Sequence, residues 1–399
     1  MKLLSTLSPS LLLLLVAAYA SQHLPYLSPA EFGLAKWGPM AIAAIGMTLS
    51  LRFNRSRIFF SLAVLATVYG ALVWGVRGAP PSGTIYAACA LLLPLNLVLF
   101  ASLKERGILT RWGVARLALL AGQVALVAYL IHTNNQRLIE GLHFKLLREA
   151  LLAHTRLPQP ALLAFAVGGA WFTVPALRRP SAQVGGLLGA LVAAGMMFEY
   201  GADLYRVIAF ATAGALALTV TVVQESYSMA YIDELTSLPG RRALQEQMLK
   251  LGNRYAVAML DVDHFKKFND THGHDVGDQV LRMVAARIRR VSDGGKAFRY
   301  GGEEFSIVFP GKNAEAVTDA LDTVRRAVED SRFTVRSGDR RRDRRGQDPG
   351  GRQVTVTISI GVADPGKLKE KADPWAVLKA ADKALYQAKK KGRNRVCAA

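Results

Sequence analysis

Two short acidic clusters hold the side chains best suited to chemistry. In the first, the apolar run Tyr255 to Leu260 (Y-A-V-A-M-L) ends in Asp261-Val262-Asp263. A carboxylate at the end of a buried strand can hold a divalent ion, and oxygen ligands suit Mg2+. In the second, Arg299-Tyr300-Gly301-Gly302-Glu303-Glu304-Phe305 lies between the apolar flanks Ala297, Phe298 and Ile307, Val308, Phe309. Paired glycines between two strand-like runs predict a hairpin with a two-residue turn of positive φ. They also leave room for something large against the Gly301 and Gly302 backbone. Adjacent strand residues face opposite ways, so Glu303 and Glu304 are expected to do different jobs, one facing a metal and one more peripheral. Between the clusters, Lys266 reads as a solvated lysine or a phosphate contact. Asn269 reads as a turn or cap residue or as an amide for a base edge. A further polar cluster, Gly273-His274-Asp275-Val276-Gly277-Asp278, follows.

The elements around these clusters form a regular series. Asp233 to Arg242 reads as a turn and helix start, continued through Leu244 and Met248. Val280, Leu281, Val284, Ile288 and Val291 keep helical spacing, a second amphipathic helix covers 314–330, and Gln353 to Val362 alternates as one strand. A helix from Pro374 to Lys391 closes the chain before Gly392-Arg393-Asn394. The order α-β-α-α-β-β-α-β-β-α predicts an α/β domain with a mostly antiparallel central sheet flanked by helices. Such a sheet could bring Asp261 and one hairpin glutamate within metal-bridging range. Arg336 to Arg352, with seven arginines and three aspartates, reads as a flexible loop, and contact with anionic lipid headgroups is one use for it.

The first half of the chain is of another kind. With 399 residues, 51% of them hydrophobic, the sequence has length for two or more domains. The net charge of +20 would suit a nucleic-acid binder, but residues 1–224 contribute +11 of it between apolar runs, which is a membrane pattern, and no nucleic-acid partner is expected. Eight stretches have spanning length, at 3–20, 34–51, 58–76, 83–103, 113–131, 157–177, 183–201 and 204–224. Residues 1–20 also fit a signal peptide, and either alternative leaves the second half inside. Loop charges agree: Arg52, Arg55 and Arg57, then Lys104, Arg106 and Arg111, then Arg178 and Arg179 all fall on the expected cytoplasmic side. Leu138, Leu142, Leu146 and Ala150 predict an external amphipathic helix carrying His132, His143 and His154, which read as solvated surface histidines. Glu199 and Asp203 flank the last external turn. The domains expected are a membrane domain of about eight helices over 1–224, with a sensing role, a helical linker at 225–234, and a soluble domain over 235–399. Cys89 and Cys397 offer neither a disulfide framework nor a metal cluster.

Residues 230–397 resemble the GGDEF diguanylate cyclase family in a G-G-E-E-F variant. The resemblance rests on D-E-L-T-S-L-P-G-R-R, D-V-D-H-F-K-K-F-N-D-T-H-G-H-D-V-G-D, R-Y-G-G-E-E-F, I-S-I-G-V-A and A-D-K-A-L-Y-Q-A-K-K-K-G-R-N. It implies a nucleotidyl-cyclase-like GGDEF fold and condensation of two GTP into cyclic di-GMP with release of two pyrophosphates. Asp261 and Glu303, with the Val262 carbonyl, would hold Mg2+, with Mn2+ as a substitute. Asn269 and Asp278 would read the guanine edge, and Lys266, Lys389 and Arg393 would contact phosphates. His274, Gly301 and Gly302 would complete the substrate site. Glu303 or Glu304 would take the 3′-hydroxyl proton, with Glu303 preferred. One site per chain and a symmetric product imply a homodimer. The family's inhibitory R-x-x-D stands five residues before the glycine pair. Arg290-Val291-Ser292-Asp293 fits its letters but stands seven residues before, with Gly294-Gly295 apparently inserted.

The expected protein is thus a multi-pass enzyme of the bacterial inner membrane, its catalytic domain in the cytoplasm and its activity set by the membrane domain. A catalytically inactive receptor for GTP or cyclic di-GMP is the alternative, and a transporter with a regulatory tail a third. Intact Asp261, Glu303, Glu304, Lys266 and Asn269 favour the enzyme, and scarce charge inside the spans disfavours transport.

Overall fold

The computed structural model describes residues 2–74, 82–133, 135–145, 155–335, 352–367 and 373–399. The chain divides into two compact units, Met1–Ser226 and Tyr227–Ala399. In the first unit, eight helices are long and apolar enough to cross a membrane, by length and composition and among the described residues. The last of them, Leu204–Tyr231, continues past the end at 224 expected from hydropathy. Between Thr133 and Gln159 only the short helix Gln136–Leu142 is described, and Leu146, Ala150 and His154 lie outside the described residues.

Several buried polar groups within this unit are partnered. The Glu105 carboxylate accepts from the backbone N–H of Ser56 at 3.0 Å and of Arg57 at 3.2 Å, and from the Ser56 hydroxyl. It therefore caps the helix Ser56–Trp74. Arg116, 6% exposed, donates to Ser56 Oγ at 2.7 Å and to the Lys104 carbonyl at 2.8 Å. Asn96 and Gln123 exchange carboxamide hydrogen bonds of 2.8 and 3.2 Å. Of the two acidic residues at the turn expected to be external, Glu199 accepts from Thr155 Oγ1, and Asp203 caps the following helix while pairing with Arg206.

The second unit is a five-stranded sheet in the order β2-β3-β1-β6-β7, with β1 Tyr255–Val262, β2 Lys296–Gly301, β3 Glu304–Pro310, β6 Ile358–Ala363 and β7 Val396–Ala398. A separate pair is made by β4 Phe333–Val335 and β5 Arg352–Val354. The helices of this unit are α1 Arg241–Leu249, α2 Phe265–His272, α3 His274–Ile288, α4 Ala314–Glu329 and α5 Pro374–Lys390. Strand β1 is buried along its whole length, and its two-residue period divides its side chains between two cores. Ala256, Ala258, Leu260 and Val262 meet Val284, Ile288, Val317 and Leu321 of α3 and α4. Tyr255, Val257 and Met259 meet Leu244, Met248, Val377 and Leu385 of α1 and α5.

Two expectations are corrected here. The sheet is mixed rather than mostly antiparallel, because β7 enters beside β6 in parallel, with Ile360 opposite Val396. That tail is too short and polar at its start to show strand periodicity. The alternating run from Gln353 to Val362 is two strands, broken where the Thr357 carbonyl accepts from Asp263 N at 2.9 Å. Most of the arginine-rich segment expected as a loop lies outside the described residues.

Helix α5 lies directly on β6 at Gly361. A Cβ there would meet Leu385 N at 2.0 Å and Ala381 O at 2.2 Å, both backbone atoms that cannot rotate away. Gly361→Ala is therefore expected to destabilise the second unit by about 3 kcal/mol, the upper range for overpacking, read as a lowered transition in calorimetry of the detergent-solubilised chain. An unchanged transition would mean that α5 lifts off the sheet without cost.

Candidate functional site

Register brings the acidic clusters together. Asp261 on β1 pairs with Glu304 on β3 on one side and with Ser359 on β6 on the other. By strand alternation Asp261 and Glu304 both fall on the α5 side of the sheet, and there Lys389 Nζ reaches Asp261 Oδ1 at 2.8 Å. Glu304 and Lys389 also line a cavity of about 370 Å3 with Asp382 and Tyr386.

The hairpin differs from its expected form. Gly301 ends β2 opposite Glu304, so the turn consists of Gly302 and Glu303, not of the two glycines. Gly302 alone takes a left-handed φ, of +44°, and a bulge separates Arg299 from Gly301. Glu303 is thus a turn residue, half-buried, and the alternation rule for neighbouring strand residues does not govern it. Open space lies around both glycines on the side where a Cβ would stand.

Arg299 was missed as a site residue. Its guanidinium donates to the Gly302 carbonyl at 2.7 and 3.2 Å and to Asp233 Oδ1 at 2.7 Å. It thereby ties the hairpin turn to the start of this unit. The sequence signal was present, since both residues stand inside the motifs quoted above, but nothing in spacing joined them.

The like charges show in the acidities. Burial pushes the Asp261 carboxyl above the ordinary carboxylate range, nearby Asp263 adds to this, and Lys389 and Arg393 oppose it. Glu303 is raised by burial and then by Asp261 and Glu304, against Lys389. Glu304 is raised by burial and then by Asp261 and Asp382, against Lys389 and Arg241. Among the described residues no group of three or more metal-binding side chains is already gathered as a cage. The donors are nevertheless all oxygens, crowded and under-neutralised, which is the chemistry that a hard divalent cation fits.

Helices α2 and α3 carry the other expected residues. Lys266 and His274 are exposed, while Asn269 and Asp278 are half-buried. Asn269 Oδ1 is buried without a hydrogen-bond partner. It rests against Gly277, where a Cβ would stand only 1.9 Å away. Gly277 is the second residue missed, its signal being a glycine inside an otherwise helical run. Arg393 is half-buried in the turn after α5. Arg290 and Asp293 lie apart from this set, at the end of α3. Both are exposed, and Asp293, at φ +58°, pairs with Lys312 at 3.8 Å.

Residues 230–395 match the family model described as "Diguanylate cyclase, GGDEF domain". This segment is a GGDEF domain. It is 40% identical over 173 residues to the diguanylate cyclase VdcA of Vibrio cholerae, covering 42% of this chain and 46% of that protein. It is 38% identical over 187 residues to the response regulator PleD of Caulobacter vibrioides, covering 44% and 37% respectively. The chain thus spans less than half the length of these two relatives. A solved structure of the coiled coil and GGDEF domain of DgcB from Caulobacter crescentus, in complex with c-di-GMP, is similar at 34% identity and a TM-score of 0.37, covering 44% of this chain and 90% of that one.

The raised carboxyls of the GGDEF domain carry a sign for stability. A group that holds its proton more tightly when folded contributes stability below its unfolded pKa, about 4.3 for glutamate, and loses it as pH rises through the raised value. Glu304→Gln removes one repelling charge. Without divalent cations it should raise the unfolding temperature at pH 7 and flatten its decline from pH 4 upward, followed by scanning calorimetry. A lower unfolding temperature at pH 7 would contradict the repulsion.

Proposed function

We propose that this protein is a membrane-bound diguanylate cyclase that condenses two GTP into cyclic di-GMP with release of two pyrophosphates. The observation that carries this is the convergence of Asp261, Glu303, Glu304 and Lys389 at one sheet edge of a GGDEF domain. Asp261 and Glu303, with the Val262 carbonyl, would hold Mg2+, for which Mn2+ could substitute. Bound there, the ion would neutralise triphosphate charge and acidify the 3′-hydroxyl.

The chain's own side chains do the rest. Lys389, Arg393 and exposed Lys266 supply positive charge for the phosphates, Lys389 by exchanging its Asp261 partner for a phosphate oxygen. Asn269 offers its carboxamide to the N–H edge of guanine, its Oδ1 turning out from its seat on Gly277, and Asp278 offers a second acceptor. Exposed His274, at the start of α3, completes the substrate contacts, and Gly301 and Gly302 let the nucleotide approach the backbone. A carboxylate with raised pKa is suited to accept the 3′-hydroxyl proton. Glu303 in the turn is the preferred base, with Glu304 as the second candidate. Two chains facing each other would bring two GTP molecules together for a symmetric product.

The eight apolar helices and the basic loops support a multi-pass location in a bacterial inner membrane, with the GGDEF domain in the cytoplasm and the membrane unit setting its activity. Every residue expected for catalysis is present, so nothing favours an inactive receptor. Arg290 and Asp293 are proposed as a product-binding inhibitory site, reached from the surface.

Purified protein given GTP and Mg2+ should yield cyclic di-GMP by chromatography, and Asp261→Ala or Glu303→Ala should cut turnover by about 100-fold or more. Unchanged turnover in Asp261→Ala would remove its metal role. For the inhibitory site, Arg290→Ala should keep turnover while losing sensitivity to added product, and equal sensitivity in variant and parent would discard it.

A further inference from the structure

We infer that Asp263 is a positioning residue, fastening the turn that carries Arg393 to the end of β1 and so fixing the phosphate side of the site. The inference rests on the proposed roles of Lys389 and Arg393 as phosphate contacts.

Asp263 is 7% exposed, and a carboxylate so deep needs hydrogen-bond donors around it. Three converge. Oδ1 accepts from Ser359 Oγ at 2.6 Å, and Oδ2 accepts from Thr357 Oγ1 at 2.7 Å and from Asn394 N at 3.1 Å. The two hydroxyls come from β6 and its approach, and the amide from the turn after α5. One carboxylate therefore joins the central strand, its neighbour and the C-terminal turn.

The turn needs such a fastening. Gly392, Arg393 and Asn394 take φ of +107°, +64° and +44° in succession. Left-handed backbone at consecutive non-glycine residues is costly, and persists where the surroundings over-determine it. Arg393 N donates to the Ala388 carbonyl at 3.0 Å. From the other side, Asn394 Oδ1 accepts from Arg325 Nη1 at 2.9 Å, and its Nδ2 donates to Glu329 Oε1 at 2.7 Å. Arg325 is in turn held by Asp322 and Glu329, each at 2.6 Å. The turn is thus gripped between Asp263 below and α4 beside it.

Asp263 stands two residues from Asp261, where a metal ligand would be the first guess. Its oxygens are engaged by structural donors instead, which separates its role from that of Asp261. Releasing Asn394 would free Arg393 to swing and would loosen the end of α5, whose Lys389 contacts Asp261. The expected consequence is weaker capture of the triphosphate with the reacting groups intact.

The test is steady-state kinetics of the full-length chain with GTP and Mg2+. Asp263→Asn puts an N–H2 where an acceptor oxygen stood. It should raise KM for GTP about tenfold, the loss of one charge-assisted contact, with kcat within about threefold. Arg393→Ala should do the same, and the double variant should be no worse than either single one. A loss that only destabilised the fold would lower the active fraction and leave KM unmoved. Thr357→Val keeps the carboxylate but removes the hydroxyl that shares Oδ2 with the Asn394 amide and aims it at that turn. It should shift KM in the same direction, and it decides the matter if Asp263→Asn does not fold. Raised KM in Arg393→Ala alone, with parent KM in the other two, would overturn the inference and leave the phosphate contact standing. A collapse of kcat at parent KM in Asp263→Asn would overturn it in favour of a metal role. Parent KM in Arg393→Ala would remove the phosphate contact itself, and the inference with it.

Discussion

Three carboxylates and one ammonium share the edge of a single sheet, and the second unit is built to keep them there. Asp261 and Glu304 are opposed across neighbouring strands, Glu303 stands in the turn beside them, and Lys389 pairs with Asp261. Like charges at such spacing separate unless the backbone forbids it. Here the backbone does: β1 is buried at every position, and β3 and β6 fix its register from both sides. Rigid placement thus keeps charges that repel one another close together, an arrangement that a hard cation would relieve.

Helix α5 is the other half of that device. It lies against the sheet with no space for even a methyl group at Gly361, and its last turn delivers Lys389 to the carboxylates. Arg299 gives the hairpin a comparable constraint, holding Gly302 and Asp233 with one guanidinium. In the first unit Glu105, Arg116 and Ser56 form a comparable network, Ser56 donating to Glu105 and accepting from Arg116.

Much of this was legible in the residues. The buried run ending at Asp261, the glycine pair followed by two glutamates, and the helices at 314–330 and 374–391 all follow from period and composition. What escaped depended on contacts between distant segments. The parallel entry of β7 is fixed by α5 folding back, which no local pattern records. The split of the 353–362 run depends on Asp263 capturing the Thr357 carbonyl. The turn at Gly302 and Glu303 rather than at both glycines follows from a bulge in β2, and a bulge shifts register by one residue without changing hydropathy. Arg299 and Gly277 were visible as letters, but their partners lie 66 and 8 residues away in the sequence.

On the proposed function, the close seat of Asn269 Oδ1 on Gly277 bears on which purine is admitted. The oxygen is walled in, with no donor to answer it. Once the carboxamide turns out to the proposed base, a purine that offers hydrogen completes the bond, whereas one that offers a lone pair sets two electron-rich atoms against each other. With guanine as the proposed base, exclusion of adenine would then come from this mismatch more than from any missing attraction, and it depends on the absence of a single methyl group on the facing helix.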